Sequence, residues 1–426
     1  MIRILSYSDI SDAEVFARII PQSTVAGAVS DIIAAVRERG DEALFEFTER
    51  FDGVKLEALQ VTQAEIDEAL ELVEPEFIEV LELAEANIRE FHGKQVREGF
   101  TIDKGNIVLG QRVIPLDSAG LYVPGGTAAY PSTVLMDSIP AKIAGVGRVV
   151  MVTPPNKEGK VTPAILAAAK VAGIDCIYKV GGAHAIAALA YRTETIAPVD
   201  KIVGPGNAFV SEAKKQVFGQ VAIDMIAGPS EILVVADGTA NPRFVAADLL
   251  SQAEHDKLAS AVLVTDSMEL AETVQAQIEE QLPALAREEI ARTSIDNEGK
   301  IIVASSIDVA IEIANRIAPE HLELCVDNPF DYLDKVRHAG SVFLGKNCPE
   351  ALGDYLAGTN HALPTSGTAR FSSPLSVDDF VKRSQFTYYS ADALSKVADS
   401  IALFAGKEGL TAHAKSATIR FEGDGE

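Results

Sequence analysis

Short apolar, β-branched runs alternate with alanine-rich runs between about residues 110 and 235, and this alternation limits the fold more than any other feature of the chain. The apolar runs span 148–153, 176–180 and 201–203, and the alanine-rich runs span 163–172, 183–191 and 208–217. Strands that alternate with helices build βαβ units, whose strands lie mostly parallel in one sheet. The pattern therefore predicts an α/β fold with a mainly parallel sheet.

The alternation resumes after a predicted helix at 241–255. Strands are predicted at 261–265, 300–303, 322–326 and 341–344, with helices starting at 267 and 306 between them. The first hundred residues are predicted to be helical, and Thr62 and Glu65 form a capping box before a long amphipathic stretch. Two such blocks indicate two related α/β domains, the second block being completed by the N-terminal helices.

The 241–255 helix carries a polar face. Asn241 is suited to the N-cap and Pro242 to the first helical position. Gln252 and His255 are three residues apart, so their side chains can converge. An imidazole and an amide carbonyl suit zinc if other groups complete the shell. This segment alone favours a polar helix face that carries a surface histidine, because the motif is weak.

Composition excludes several classes of partner. The net charge of −25 argues against nucleic acid or an anionic membrane as a main partner. The N-terminus lacks the apolar core of a signal peptide, and no run of eighteen or more apolar residues predicts a membrane span. Cys176, Cys325 and Cys348 form no closely spaced pair, which is typical of free thiols in the cytoplasm.

Glycine-rich turns border several predicted strands, but none has the dinucleotide fingerprint G-x-G-x-x-G after a strand. The turns are 124–126, 181–183 and 204–207. The last two open helices, whose N-terminal amides could face an anion. These glycines could equally serve only to make tight turns between strand and helix.

Longer segments resemble the histidinol dehydrogenase family, in order and at compatible spacing from the N-terminal helices to the last turn. They are GLYVPGG (120–126), VGPGNAFVSEAKKQV (203–217), AGPSEILVVAD (227–237), the segment 318–324, the segment 353–361, GTNHALPTSGTARFSSPLS (358–376) and the segment 408–415. The resemblance implies two related Rossmann-like, aldehyde-dehydrogenase-like α/β domains with an N-terminal helical segment and a C-terminal helical tail. The implied division is an N-terminal segment 1–20, a first α/β domain 21–121 plus 231–375 that carries the zinc and acid/base residues, a second α/β domain 122–230 on the NAD side, and a helical tail 376–426.

The resemblance also implies the chemistry of the site. It places one zinc ion per site on Gln252, His255, Asp354 and His413, makes His321 the general base, and gives Glu320 the activation of water. Substrate contacts fall on Ser230, Gln252, His255, His321, Asp354, Glu408 and His413. We expect His361 to stabilise its loop through a backbone hydrogen bond instead of binding the metal.

The implied reaction is the oxidation of L-histidinol to L-histidine through L-histidinaldehyde, the last steps of histidine biosynthesis, with two NAD consumed. NAD contacts fall on Tyr122, Asn207 and His184, where the family usually has glutamine. A histidine at this position lacks the geometry of an amide. The family also implies a homodimer in which Glu408 and His413 of the tail serve the neighbouring site.

Other functions are compatible with the same residues. A relative could oxidise another polar alcohol, such as a sulfonated propanediol, but Glu408 would repel a sulfonate. A zinc hydrolase that uses Glu320 as base would turn over without NAD. A non-catalytic dimeric binding protein would hold zinc and turn over no alcohol.

Overall fold

The computed structural model describes residues 1–16, 24–125, 129–174 and 176–422. These residues form two compact units, one made of Met1–Gln95 with Leu116–Phe380 and one made of Val96–Pro115 with Val381–Glu426.

Strands and helices alternate over most of the described residues. The strands are β1 (Arg3–Ser6), β2 (Phe100–Asp103), β3 (Ile107–Pro115), β4 (Ser118–Tyr122), β5 (Arg148–Thr153), β6 (Cys176–Lys179), β7 (Lys201–Val203), β8 (Ala222–Ile223), β9 (Glu231–Ala236), β10 (Ser260–Thr265), β11 (Lys300–Val303), β12 (His321–Cys325), β13 (Ser341–Leu344) and β14 (Val381–Tyr389). The helices are α1 (Asp12–Val15), α2 (Ala26–Arg39), α3 (Asp41–Asp52), α4 (Gln63–Leu72), α5 (Pro75–Gly93), α6 (Pro131–Ala144), α7 (Pro163–Val171), α8 (Gly182–Tyr191), α9 (Ala208–Val217), α10 (Pro242–Ala253), α11 (Met268–Gln281), α12 (Glu288–Asn297), α13 (Ile307–Ile317), α14 (Phe330–Leu333), α15 (Glu350–Tyr355), α16 (Ala391–Ser395), α17 (Ala398–Lys407) and α18 (Thr411–Thr418).

Two parallel sheets organise the first unit. Among the described residues, one sheet has the strand order β6-β5-β4-β7-β8 and the other the order β1-β11-β10-β9-β12-β13. All strand pairs in both sheets are parallel. Helices cover both faces of each sheet, and buried aliphatic side chains fill the layers between helix and strand. The predicted pair of Rossmann-like α/β sheets is confirmed.

The N-terminal helices pack on a different sheet from the predicted one. The sequence-based division joined residues 21–121 to 231–375, which form most of the six-stranded sheet. Val29 and Leu44 of α2 and α3 lie in one core with β5, and Ile66 and Ile88 of α4 and α5 lie in another with β4. These helices therefore cover the two faces of the five-stranded sheet. Their amphipathic pattern specifies an apolar face but not the sheet that it meets.

The predicted boundaries at both ends of the chain also need correction. In the segment 1–20, β1 is an edge strand of the six-stranded sheet, paired with β11. In the tail 376–426, β14 precedes the predicted helices and pairs antiparallel with β3, which pairs with β2. Most side chains of β14 are exposed, so it carries no alternation of buried and exposed residues that would predict a strand.

Local signals at the helix ends are confirmed. The Thr62 hydroxyl accepts a hydrogen bond from the Glu65 backbone N–H while the Glu65 carboxylate accepts one from the Thr62 N–H. The predicted long helix after this cap is divided in two, because Pro75 starts a new helix. Within the described part of the chain, no helix is both long and apolar enough to cross a bilayer.

Candidate active site

The acid–base candidates Glu320 and His321 lie where β12 begins, beside the first residue of β9. The backbone N–H of Glu231 donates to Glu320 Oε2 at 2.9 Å, and the backbone carbonyl of Glu231 lies 3.0 Å from His321 Nδ1. Because a carbonyl can only accept, His321 Nδ1 must carry the proton. When the imidazole is neutral, its lone pair therefore lies on Nε2.

Two carboxylates face the Nε2 atom of His321. Asp354 Oδ1 lies 3.8 Å and Glu350 Oε1 lies 3.9 Å from it. Nε2 is buried and makes no hydrogen bond within the part of the chain that the structure describes. Burial alone would lower the pKa of His321, but the surrounding carboxylates, Glu320 first, raise it above its ordinary value.

The three carboxyl groups differ in how readily they ionise. Burial raises the pKa of Glu320 to about 8. Burial, reinforced by the charge of Asp354, raises the pKa of Glu350 to about 7. Burial also opposes ionisation of Asp354, but His321 and His361 outweigh it and lower the pKa of Asp354 to about 2. Asp354 is therefore the permanent anion of the site, while Glu320 can take up or release a proton near neutrality.

Helix α15 places Glu350 and Asp354 on the same face, four residues apart. The Ser251 hydroxyl donates to Glu350 Oε2 at 3.0 Å, and the Glu350 backbone N–H donates to Glu323 Oε1 at 2.7 Å. Sequence reasoning missed Glu350. The i, i+4 spacing of Glu350 and Asp354, which places two carboxylates on one face of a helix, was the signal that could have identified it.

Helix α10 and the turn that follows it carry two further predicted metal ligands, Gln252 and His255. Asn241 accepts from the Arg243 backbone N–H and Pro242 is the first helical residue, as predicted. Gln252 is buried, and neither of its amide side-chain atoms has a hydrogen-bond partner among the described residues. His255 follows the helix end, where burial lowers its pKa and the charge of Asp354 partly restores it.

This donor set fits a zinc ion. The orphaned amide oxygen of Gln252 is a ligand without another role, and Asp354 and His255 are close enough to interact electrostatically. A second possible set of metal ligands overlaps the first. His321, Glu350 and Asp354 offer three ligand atoms within 4.8 Å of one another. An ion on that second set would occupy the lone pair of His321.

The remaining predicted substrate residues lie in two places. Ser230 is half-buried directly before β9, where its carbonyl accepts from the Ser260 backbone N–H at 3.0 Å. Glu408 caps the C-terminal end of α17 and His413 lies in α18, both with exposed side chains in the second unit. His361 Nε2 lies 3.2 Å from the Thr133 hydroxyl, a contact between a loop and α6.

The five-stranded sheet has a topological switch point between β4 and β7, because the chain winds outward from these two strands in opposite directions. Ligands of open α/β sheets bind beyond the carboxyl ends of the strands at such a point. Tyr122 ends β4 there, and Gly204 and Asn207 follow β7. We call the region bounded by Tyr122, Gly204 and Asn207 the dinucleotide crevice.

The predicted NAD contacts occupy different environments. The Tyr122 hydroxyl accepts from the Gly182 backbone N–H at 3.0 Å, and the exposed Asn207 caps α9. His184 is buried, with its Nε2 atom 3.4 Å from the Thr48 hydroxyl and its ring beside Phe47. Burial lowers the pKa of His184 to about 3, so the ring is neutral. Of the predicted glycine turn at 124–126, residue 126 lies outside the described residues.

Comparisons with known proteins agree with one another. The family model described as histidinol dehydrogenase matches residues 18–421. The histidinol dehydrogenase of Clostridium acetobutylicum is 58% identical to this chain, and the alignment covers 92% of each sequence. That of Listeria monocytogenes is 56% identical, with 93% of each sequence covered. The crystal structure of histidinol dehydrogenase from Elizabethkingia anophelis has a TM-score of 0.93 at 39% identity and covers 98% of each chain.

Proposed function

The chain belongs to the histidinol dehydrogenase family, and we propose that the Glu320–His321 pair carries its chemistry, the oxidation of L-histidinol to L-histidine through L-histidinaldehyde. This is an oxidoreductase reaction of histidine biosynthesis. The observation that carries the proposal is that the Glu231 backbone bonds to both side chains. Its N–H donates to the Glu320 carboxylate, and its carbonyl accepts from His321 Nδ1. The backbone of one residue thereby orients both side chains next to each other.

In the first half-reaction, His321 Nε2 takes the hydroxyl proton of histidinol. The carbon–hydrogen bond then breaks with its electron pair, and NAD, when bound, accepts that hydride. The orientation of His321 by the Glu231 carbonyl leaves the correct nitrogen free for this proton transfer. The product is the aldehyde, which must stay held for the second oxidation.

In the second half-reaction, Glu320 removes a proton from water as the oxygen attacks the aldehyde carbon. A pKa raised by burial to about 8 makes Glu320 a stronger base than an ordinary carboxylate once it is ionised. The hydrate loses a second hydride to a second NAD and its two hydroxyl protons to solvent, and the carboxylate of histidine results. Four electrons leave the substrate in total, two with each hydride.

We propose that Gln252, His255 and Asp354, together with His413, hold one zinc ion. When bound, zinc would orient the imidazole and amine of the substrate. The orphaned Gln252 amide supports this set over the set of His321, Glu350 and Asp354, because the second would remove the base. Ser230 and Glu408 would contact the polar ends of the substrate.

We also propose a homodimer with shared active sites. Glu408 and His413 lie on an exposed stretch of the second unit. The same unit exposes several large apolar side chains, which favours coverage by another chain. They include Phe100, Tyr388, Leu403, Phe404 and Ile419. The free thiols of all three cysteines favour a reducing compartment, and we propose the cytoplasm.

Mixing two inactive variants tests the shared site. His413→Ala and His255→Ala homodimers should each be nearly inactive, because every site lacks one zinc ligand. In a C2 dimer that exchanges tails, the mixed dimer has one site with both lesions and one with neither. Activity per mixed dimer should then recover to about half of the wild-type value. Subunit exchange is confirmed by mass spectrometry, and no recovery after exchange would place His413 at the site of its own chain.

Glu320→Gln tests the division of labour between the two half-reactions. The amide cannot accept a proton from water, so oxidation of histidinaldehyde should slow much more than oxidation of histidinol. Both rates are measured as NADH formation with each substrate supplied separately. Equal slowing of the two half-reactions would show that Glu320 does not act specifically on water.

A further inference from the structure

The two loops that border the dinucleotide crevice approach each other through their backbones. Gly204 has φ +113°, and a Cβ atom on it would lie 2.2 Å from the Tyr122 carbonyl oxygen. Only glycine allows this approach, because any side chain would separate the loops after β4 and β7. The conformation of Gly204 therefore sets the width of the crevice at its base.

A buried ion pair holds both backbone groups of this glycine. Lys214 of α9 and Asp224, which follows β8, pair through Nζ and Oδ1, and each side chain is only 3% exposed. Lys214 Nζ also donates to the Gly204 carbonyl at 2.8 Å, and Asp224 Oδ2 accepts from the Gly204 N–H at 2.8 Å. The positive and the negative group thus each anchor one side of the same residue.

A third ionisable side chain, Asp137, lies beside Gly204 and the ion pair. Asp137 Oδ2 would lie 2.9 Å from a Cβ on Gly204, and Asp137 is fully buried without a hydrogen-bond partner among the described residues. Burial, reinforced by the charge of Asp224, raises the pKa of Asp137 well above its ordinary value. Lys214 and Asp224 balance each other, and burial strengthens both of their bonds to Gly204.

We propose that Lys214 and Asp224 are positioning residues for the dinucleotide: they hold Gly204 so that Tyr122 and the N-terminus of α9 stay correctly spaced for NAD. Asn207, only three residues after Gly204, caps that helix, so a shift of Gly204 displaces the N-terminus of α9. This inference rests on the proposed NAD-dependent function. Neither residue reaches the reacting atoms, so their effect falls on cofactor affinity and not on the chemical steps.

The test replaces the pair by neutral groups. In Lys214→Met/Asp224→Asn no unpaired charge is left buried, so the fold is retained far better than with either single change. The dissociation constant of NAD, measured by isothermal titration calorimetry, should rise at least about tenfold, and the KM for NAD should rise with it. The kcat at saturating NAD and the KM for histidinol should stay within about twofold of wild type.

A matched pair at the other end of β7 supplies the control. Lys201 Nζ lies 2.8 Å from Asp379 Oδ1, and this ion pair is away from the crevice. Lys201→Met/Asp379→Asn should leave the dissociation constant of NAD unchanged. Unchanged NAD affinity in a folded Lys214→Met/Asp224→Asn protein, or an equal loss in the control, would overturn the positioning role.

Two further outcomes separate this inference from the proposed function. A wild-type protein that binds no NAD would contradict both the proposed function and the positioning role. Equal NAD affinity in the wild type and in the folded double variant would contradict only the role of the ion pair. If the variant does not fold, hydrogen exchange of the wild-type Gly204 amide decides, because its bond to Asp224 predicts strong protection. Exchange of that amide at the rate of an exposed loop would overturn the proposal.

Discussion

His321→Asn is expected to slow the oxidation of histidinol by roughly a hundred- to ten-thousand-fold, the usual contribution of a general base. The asparagine side chain can still donate to the Glu231 carbonyl, which in the wild type accepts from His321 Nδ1. It cannot take the substrate proton, because the amide is not basic at neutral pH. Most of the loss should therefore fall on kcat, measured as NADH formed at saturating histidinol and NAD.

His338→Asn is the matched control, because His338 is a half-buried histidine in the loop before β13. It should leave kcat and both KM values unchanged. Zinc content should be normal in His321→Asn as well, since His321 is a base and not a ligand in the proposed site. Normal turnover by His321→Asn would remove it from the chemistry, and loss of zinc would assign the metal to His321, Glu350 and Asp354.

His255→Asn is expected to remove most of the bound zinc and, with it, most of the activity. One ligand of four is lost, and zinc affinity depends steeply on the number and basicity of its ligands. Inductively coupled plasma mass spectrometry of the purified protein gives the zinc content per chain. Histidinol oxidation measured with and without added zinc shows whether the loss of activity follows the loss of metal.

The paired variants His255→Asn and His321→Asn separate the two possible metal sites. The set centred on Gln252 predicts zinc-poor His255→Asn protein and zinc-replete His321→Asn protein. Full zinc occupancy with normal turnover in His255→Asn would contradict that set. A wild-type-like thermal melting temperature in His321→Asn would verify that the loss of activity in that variant does not arise from unfolding.

The strand and helix pattern of the chain could be predicted because buried parallel strands and amphipathic helices differ in length and in residue type. The bounds of β5, β7, β11 and β13 match the predicted runs residue for residue. The assignment of α2 to α5 to a sheet could not be predicted. An apolar helix face indicates that the helix is packed against another element, but it does not specify which one, because many sheets present a similar apolar surface.

Edge elements were the hardest to predict for a physical reason. β14 exposes most of its side chains, and it is held by backbone hydrogen bonds to β3, which depend on residues that lie far away in sequence. Periodicity reports burial and not hydrogen bonding. A strand without a buried face therefore has no signature in its own sequence.

The candidate site shows a similar limit. Glu320, His321 and Asp354 were predicted from their resemblance to a family, and the structure brings these three together. Glu231 acts through its peptide groups, which any residue supplies, so its side chain gave no signal. Glu350 was missed although it lies four residues before Asp354, and its contact with Ser251 of α10 is one that only tertiary packing creates.

The count of NADH formed per histidinol consumed tests the proposed function most directly. A limiting amount of histidinol is incubated with excess NAD, and NADH absorbance and histidine are measured at completion. We expect two NADH and one histidine for each histidinol in the wild type, because each of the two half-reactions releases one hydride. One NADH per histidinol with aldehyde as the end product, or turnover without NAD, would contradict the proposed four-electron oxidation.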